Sequence, residues 1–465
     1  MRFLPTVLLL YVLLVARPAC AADELSAGLA VVDITPPVGM RMCGYFNERF
    51  STAAHDPILI KALVLVQGDV KTAFVACDLI GVSNSIARQG RELAEKKTGI
   101  PADQIVVHCT HSHTGPLFFG VLCKYQHDQA VAKLGNDPAE KVNFPERLVQ
   151  GVASAVEQAA KNVRHVQLSA GRGQEARLPF NRRFHMKDGS VQFNPGRKNP
   201  AVVRVAGPID PDLGLLLLSD AAGKPLCSLA NFALHLDTVG GTEYSADYPF
   251  HLQERLREKL GPEFLSLFGT GTCGDINHID TQNEQQLSGR PECQRIGRAL
   301  GDAVLAALPT LAPQAAPQLA VKRAVVEVPT QVYSEAETKK AAVNMAKIGG
   351  RELSFLEEVE ACKITDLAQH YPGPTLGLEV QVIRLSNEAA VVCLPGEVFV
   401  ELGLAIKQAS PFKTTLVVEL CNDCPAYIPT RKAFAEGSYE TVNSRAAPGC
   451  GEAMVETAIK LLKAF

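Results

Sequence analysis

Several apolar runs in this sequence end abruptly in polar, glycine-bearing clusters, and those clusters hold the residue types that do chemistry. Ile105 to Cys109 runs into Thr110-His111-Ser112-His113-Thr114-Gly115-Pro116, and Pro225 to Leu234 runs into His235 and then Ser245-Ala246-Asp247-Tyr248. Phe264 to Phe268 leads to Gly269-Thr-Gly-Thr-Cys-Gly274-Asp275, with Asn277 and His278 beyond it. Ala389 to Leu394 leads to Pro395-Gly396-Glu397, and Thr415 to Leu420 leads to Asn422, Asp423 and Tyr427. Two histidines, a glutamate and one oxygen donor make an N2O2 shell that suits zinc and leaves room for water or substrate. His111 and His113 are two residues apart, and an extended backbone puts such residues on one face, so both can point to one site. Whether both touch a metal, or one faces substrate, is open at this level. The plainer alternatives are hydrogen-bonded core histidines and, for Glu397, a helix start favoured by the dipole.

Competing motifs are weaker. Gly269 to Gly274 matches GxGxxG after a strand, but the continuation Asp275-Ile-Asn-His-Ile279 does not read as a helix, so a dinucleotide site is not expected. No GxSxG elbow occurs. Cys421-Asn-Asp-Cys424 has no second CxxC and reads as a local disulfide or two thiols.

Such clusters need a sheet that brings strand ends together. Short β-branched runs alternate with amphipathic stretches, which predicts an α/β (α+β) fold: a mixed β-sheet core flanked by helices. Strands are expected at Gly28 to Ile34, Ile58 to Val66, Thr72 to Asp78, Ile105 to Cys109, Leu215 to Ser219, Pro225 to Leu234, Phe264 to Phe268, Ala320 to Val328, Leu378 to Arg384, Ala389 to Leu394 and Thr415 to Leu420. Helices are expected at Asn84 to Thr98, Pro145 to Asn162, Pro249 to Leu260, Cys293 to Leu308, Ser334 to Ile348, Arg351 to His370, Val398 to Ala409 and Gly451 to Ala464, with Ser334 and Glu337 as a capping box. Ligands in open α/β sheets bind outside the carboxyl ends of strands, so the five clusters are expected on one rim. Lys124 to Asn143 and Glu175 to Pro200 lack periodicity and read as long loops, either substrate contacts or solvated. No internal repeat is visible, and Ala306 to Pro317 is the one linker-like stretch, so a single large catalytic domain is expected.

The 465 residues carry 46 Lys and Arg against 49 Asp and Glu, with 47% hydrophobic residues. Such composition excludes disorder as the main state, and the near-neutral balance offers no general surface for nucleic acid. Arg2, the apolar run Phe3 to Ala16 and the pattern Ala19-Cys20-Ala21 read as a cleaved signal peptide over residues 1–21, and Cys20 also suggests a lipoprotein form. A secreted or periplasmic protein without a transmembrane anchor is expected. Of the 13 cysteines, Cys77, Cys227 and Cys393 lie in apolar strand patterns, where a buried thiol is as natural as a bridge.

At these residues the sequence resembles the neutral ceramidase family of zinc-dependent amidases. The resemblance runs through Ala27-Gly-Leu-Ala-Val-Val-Asp-Ile-Thr-Pro36, Met42-Cys-Gly-Tyr45, Thr110 to Pro116, Asn231-Phe-Ala-Leu-His235 and Tyr244-Ser-Ala-Asp-Tyr248. It continues through Leu394-Pro-Gly-Glu397, Tyr427-Ile-Pro-Thr430 and Gly437-Ser-Tyr-Glu440. It covers nearly all of residues 22–465, in order. It implies zinc held by His111, His235, Glu397 and Tyr427, with Gly44, His113, Arg182 and Tyr439 toward substrate. His113 and Tyr439 would stabilise the oxyanion, and Arg182 would hold a carboxylate or hydroxyl. It further implies cleavage of the N-acyl amide of a ceramide-like lipid or small N-acyl compound, with peripheral membrane contact.

This sequence departs from the family in two places. Where the family reads Gly-Asp-Val-Ser-Pro-Asn, the chain has Gly274-Asp-Ile-Asn-His-Ile279, so Asn277 replaces the serine near the metal and can offer only a hydrogen bond. His278 beside it is a candidate acid or base. The family's C-terminal immunoglobulin-like domain is not expected after the last helix. These departures set hydrolysis of another amide or ester, and a non-catalytic binding protein, beside ceramide hydrolysis.

Overall fold

The computed structural model describes residues 24–465, and the expected signal peptide lies outside them. Three mixed sheets organise the chain. The first has the order Ile105–Cys109, Val70–Cys77, Leu59–Gln67, Ser26–Asp33, Arg164–His165. The second runs Leu265–Thr270, Pro225–Phe232, Asp212–Ser219, Gln167–Gln174, Ala312–Pro313, and the third runs Thr414–Val418, Ala389–Cys393, Thr375–Ser386, Pro317–Pro329. In each sheet an antiparallel pair is followed by a crossover helix and a parallel end strand. The helices are Asn84–Thr98, Tyr248–Leu260 and Val400–Ala409. Asn84–Thr98 packs against Phe144–Lys161, Tyr248–Leu260 against Arg290–Ala307, and Val400–Ala409 against Cys450–Lys463. The fold therefore repeats one unit three times, although the sequence shows no repeat. What recurs is strand order and apolar alternation, which many different residues satisfy.

Alternation assigns each sheet two faces. Leu63 and Leu65, Leu216 and Leu218, and Ile383 and Leu385 point into one core shared by all three sheets. Their neighbours Ala62 and Val64, Leu215 and Leu217, and Val380 and Val382 face the helices covering each sheet. The three parallel end strands meet at their carboxyl ends. Thr270 Oγ1 donates to the Thr110 carbonyl at 2.8 Å, the Glu419 amide to Thr270 at 2.9 Å, and the Asn422 amide to Val107 at 2.7 Å. One rim is thus built from all three units, as the rule for open sheets requires.

Most expected elements are present, and the capping box of Ser334 with Glu337 forms, as does a second of Ser354 with Glu357. Lys124 to Asn143 is not a loop throughout: Gly120–Leu134 is a helix. It has no clean apolar stripe because it packs only at one end, around Val121 and Leu122, against Met345 and Ala361. Glu175 to Pro200 contributes Arg183–Met186 and Val191–Phe193 to a small three-stranded sheet completed by Val202–Val205. The linker-like stretch is a 3-10 turn and an edge strand, Ala312–Pro313, paired to Ala170 and Ser169. All cysteines among the described residues are unpaired thiols, those of the CxxC included. No described helix is long and apolar enough to cross a membrane.

Candidate metal centre

His111 follows the end strand of the first sheet and adopts a φ of 80°, a conformation costly for a residue with a Cβ and typical of functional positions. Its Nδ1 lies 2.7 Å from the Ile80 carbonyl, which turns Nε2 toward the rim. His235 follows Pro225–Phe232, with Nδ1 against the Cys273 sulfur at 3.8 Å. His113 Nδ1 lies 3.1 Å from the Gly44 carbonyl and 3.7 Å from Asp237 Oδ1. Each imidazole thus has its Nδ1 toward a protein acceptor, and the three Nε2 atoms face one another. Their separations are 3.0 Å for His111 with His235, 3.3 Å for His111 with His113, and 3.2 Å for His113 with His235.

Glu397 and Tyr427 arrive together because Glu397–Val398 and Tyr427–Ile428 form a short parallel ladder with these two residues in register. Glu397 Oε2 stands 3.3 Å from His111 Nε2 and 3.9 Å from His235 Nε2, buried and with no hydrogen-bond donor. Burial pushes the Glu397 carboxyl upward, but His111 and the Tyr427 hydroxyl outweigh it and hold it below the usual range, so it is a carboxylate. Burial lowers His235 far below the ordinary histidine range and His113 to about 4, so both are neutral. Buried imidazole nitrogens aimed at one another repel through their lone pairs unless a proton or a cation sits among them, and Glu397 Oε2 beside them has no hydrogen-bond donor. The group His111, His113 and His235 can hold a metal ion, and the Nδ1 contacts are the outer partners that metal-bound histidines use.

The glycines near the centre serve close approach. A Cβ at Gly274 would meet the Glu397 carbonyl at 2.5 Å, so that member of the GxGxxG match packs against the Glu397 backbone. A Cβ at Gly44, where φ is +101°, would lie 2.4 Å from the His113 carbonyl oxygen. Gly44 thus seats His113 and also lines the cavity over the histidines. This cavity, of about 200 Å³, is walled by Tyr45, Phe46, Phe119, Leu122 and Tyr439, with Asn443 and Arg445 at one side. Of the Pro116 to Gly120 stretch, Leu117, Phe119 and Gly120 line it, while Phe118 packs on Phe144 in the core.

Arg182 is buried rather than a surface residue. It donates from Nη2 to the Gly274 carbonyl at 2.7 Å and to the Tyr427 hydroxyl at 3.1 Å. Tyr439 packs edge-on to Tyr427 with ring centroids 5.3 Å apart, and burial pushes its hydroxyl up to about 12. Asn277 is buried with both amide atoms engaged, Nδ2 donating to Asn194 at 3.0 Å and Oδ1 accepting from the Ile279 amide at 3.0 Å. It is not among the residues lining the cavity. Burial lowers His278, and its Nδ1 has no hydrogen-bond partner. Asn422 and Asp423 serve the backbone, accepting from the Val107 and Asn84 amides.

Sequence reasoning passed over Asp237, two residues after His235, and Glu440, next to Tyr439. It also missed Glu419, which accepts from the Cys273 sulfur at 3.1 Å beneath His235. The i, i+2 spacing to His235 marked Asp237; nothing local marked Glu419, which lies inside an apolar strand end.

Fold and site together define a class: a mixed α/β protein with a buried histidine cluster, able to hold a metal ion, at the carboxyl ends of its strands. No protein-family model matches the chain. Among solved structures it is similar to neutral ceramidase from Pseudomonas aeruginosa, with a TM-score of 0.72 and 17% identity, over 95% of this chain and 75% of that one. It is also similar to a ceramidase complexed with C2, with a TM-score of 0.70 and 17% identity, over 95% and 76% of the two chains. The chain has the neutral ceramidase fold.

Proposed function

We propose that this chain is an exported, zinc-dependent hydrolase of N-acyl amide bonds, with the ion held by His111, His235, Glu397 and Tyr427. The observation that carries the reading is the convergence of three buried Nε2 atoms beside a buried Glu397 oxygen that has no hydrogen-bond donor, under a cavity, on the fold of a neutral ceramidase. Zinc bound there would act as a Lewis acid toward the acyl carbonyl and lower the pKa of water. His113 borders the cavity with its Nδ1 on the Gly44 carbonyl and is the histidine of the three that faces substrate in this reading. Tyr439 keeps its proton, because burial raises its hydroxyl, and serves as a donor to the charge developing on the acyl oxygen. Arg182 holds the Tyr427 hydroxyl from behind, and Phe119 with Leu122 offers apolar surface to the acyl group. Asn277, in the place of the family's serine, supplies no nucleophile, so water is the attacking group.

The size of the cavity, about 200 Å³, favours a second reading in which a small N-acyl compound, not a long-chain lipid, is the substrate. Purified protein assayed for bound metal and for acid release from ceramide and short N-acyl amines tests both. Stoichiometric zinc with ceramide turnover supports the first reading, zinc with only short-amide turnover the second, and absence of both rejects them.

A further inference from the structure

Behind the cavity lies a charge cluster whose role extends the functional reading above and rests on it. Glu440 is fully buried and bridges two arginines. Its Oε1 accepts from Arg182 Nε at 3.0 Å and its Oε2 from Arg183 Nη1 at 2.8 Å. Arg183 donates further to Glu436 at 3.3 Å and to the Gly437 carbonyl at 3.0 Å. Arg182 lies over the rings of Phe193 and Tyr427, at 5.1 and 5.5 Å from their centroids, with Nη2 on the Tyr427 hydroxyl. The backbone beside Glu440 is strained, since Ser438 has a φ of 81° without being glycine. Arg183 pins that turn at Gly437, and Tyr439 follows directly.

We propose that Glu440 is a positioning residue for the metal centre. Its carboxylate fixes the Arg182 fork so that one nitrogen meets the Tyr427 hydroxyl, and through Arg183 it sets the turn that presents Tyr439 to the cavity. An arginine fork delivers direction only when its other donors are held, and here Glu440 holds Nε while Gly274 shares Nη2. Burying Arg182 and Arg183 on Glu440, with Glu436 as a second partner for Arg183, is a costly arrangement that apolar contacts can often replace without loss of stability, which points to a role in geometry. Partners that hydrogen-bond a metal ligand, as Arg182 does with Tyr427, typically change metal affinity about 10- to 100-fold when altered, and Glu440 acts one step behind them.

The test titrates zinc alone into the full chain, by competition with a chromophoric chelator, for the wild type, Glu440→Gln, and the double variant Arg183→Gln with Glu440→Gln. The single variant leaves buried Arg182 without its carboxylate and Arg183 with Glu436 alone, and the double variant restores the charge balance. Both are expected to fold by circular dichroism and to bind zinc more weakly than the wild type, by up to about tenfold. A wild type that binds no zinc overturns the functional reading and this inference with it. A wild type that binds zinc while both variants match it overturns the positioning role alone. Recovery of full affinity in the double variant overturns it too, by assigning the loss to charge imbalance. Failure of both variants to fold makes Glu440 a structural support and equally overturns it.

Discussion

Glu397 is the residue on which the centre turns, because it brings the only carboxylate within reach of the histidine nitrogens among the residues that line the cavity. Glu397→Ala is expected to abolish stoichiometric zinc binding, measured by elemental mass spectrometry on dialysed protein. A variant retaining a full equivalent would remove Glu397 from the ligand set. Gly44 acts through contact rather than charge. Gly44→Ala would drive a Cβ into the His113 backbone at a φ of +101°, which costs about 1–3 kcal/mol. The expected result is a lower melting temperature together with a loss of activity larger than that destabilisation explains, because His113 moves. Retained activity at a lowered melting temperature would make Gly44 structural only. At this scale the sequence was informative where chemistry is local: His111, His113, His235 and Glu397 were marked by residue type and by their place at the ends of apolar runs. Tyr427, Arg182 and Tyr439 were reached only through resemblance, since a tyrosine or arginine in a loop has no spacing signal of its own.

The elements that hold these residues depend on a few close approaches. The helix Val400–Ala409 presents Gly403 to the loop after the second sheet's end strand, where a Cβ would come within 2.0 Å of Thr272 Oγ1. Gly403→Ala is therefore expected to push that loop, with Cys273 and its contact to His235, out of place. Weaker zinc binding and a lower melting temperature should appear together; unchanged zinc binding would show that the loop tolerates the shift. The loop before Tyr427 is tied to the start of helix Asn84–Thr98 by Asp423, whose Oδ1 accepts from the Asn84 and Cys424 amides at 2.9 Å each. Burial pushes this carboxyl up to about 6 from an ordinary value of 3.8. A folded-state pKa above the unfolded one means the folded chain binds the proton more tightly. The stabilisation is therefore full below about pH 4 and is lost as pH rises through 6. Asp423→Asn keeps the accepting oxygen, so it should gain on the order of 1–3 kcal/mol relative to the wild type between pH 4 and pH 7. Denaturant titrations at the two pH values check this, and an unchanged difference would mean that Asp423 is not protonated in the fold. Helix and strand positions were mostly legible because their periodicity is strong. Helix Gly120–Leu134 was not, since its packing is confined to one end and leaves no stripe to read.

Across the whole molecule, the candidate ligands come from all three repeated units: His111 from the first, His235 from the second, and Glu397 with Tyr427 from the third. An ion bound there would link all three sheets, so zinc is expected to raise the melting temperature of chelator-treated protein in a concentration-dependent way. The gain is about 2.7 kcal/mol at a hundredfold excess over Kd. A melting temperature indifferent to zinc would place any bound ion elsewhere. The sequence by itself determined the class of the fold, most element positions and the residues able to ligate, because hydrophobic period and residue type are local properties. It did not disclose the threefold arrangement, since each unit meets the same alternation with different side chains. Only the tertiary structure decided that the three strand ends close on one rim, that the imidazoles face one another, and that Glu440 stands behind Arg182. Those are contacts between residues far apart in the chain, and their geometry is set by how the sheets pack around the shared core.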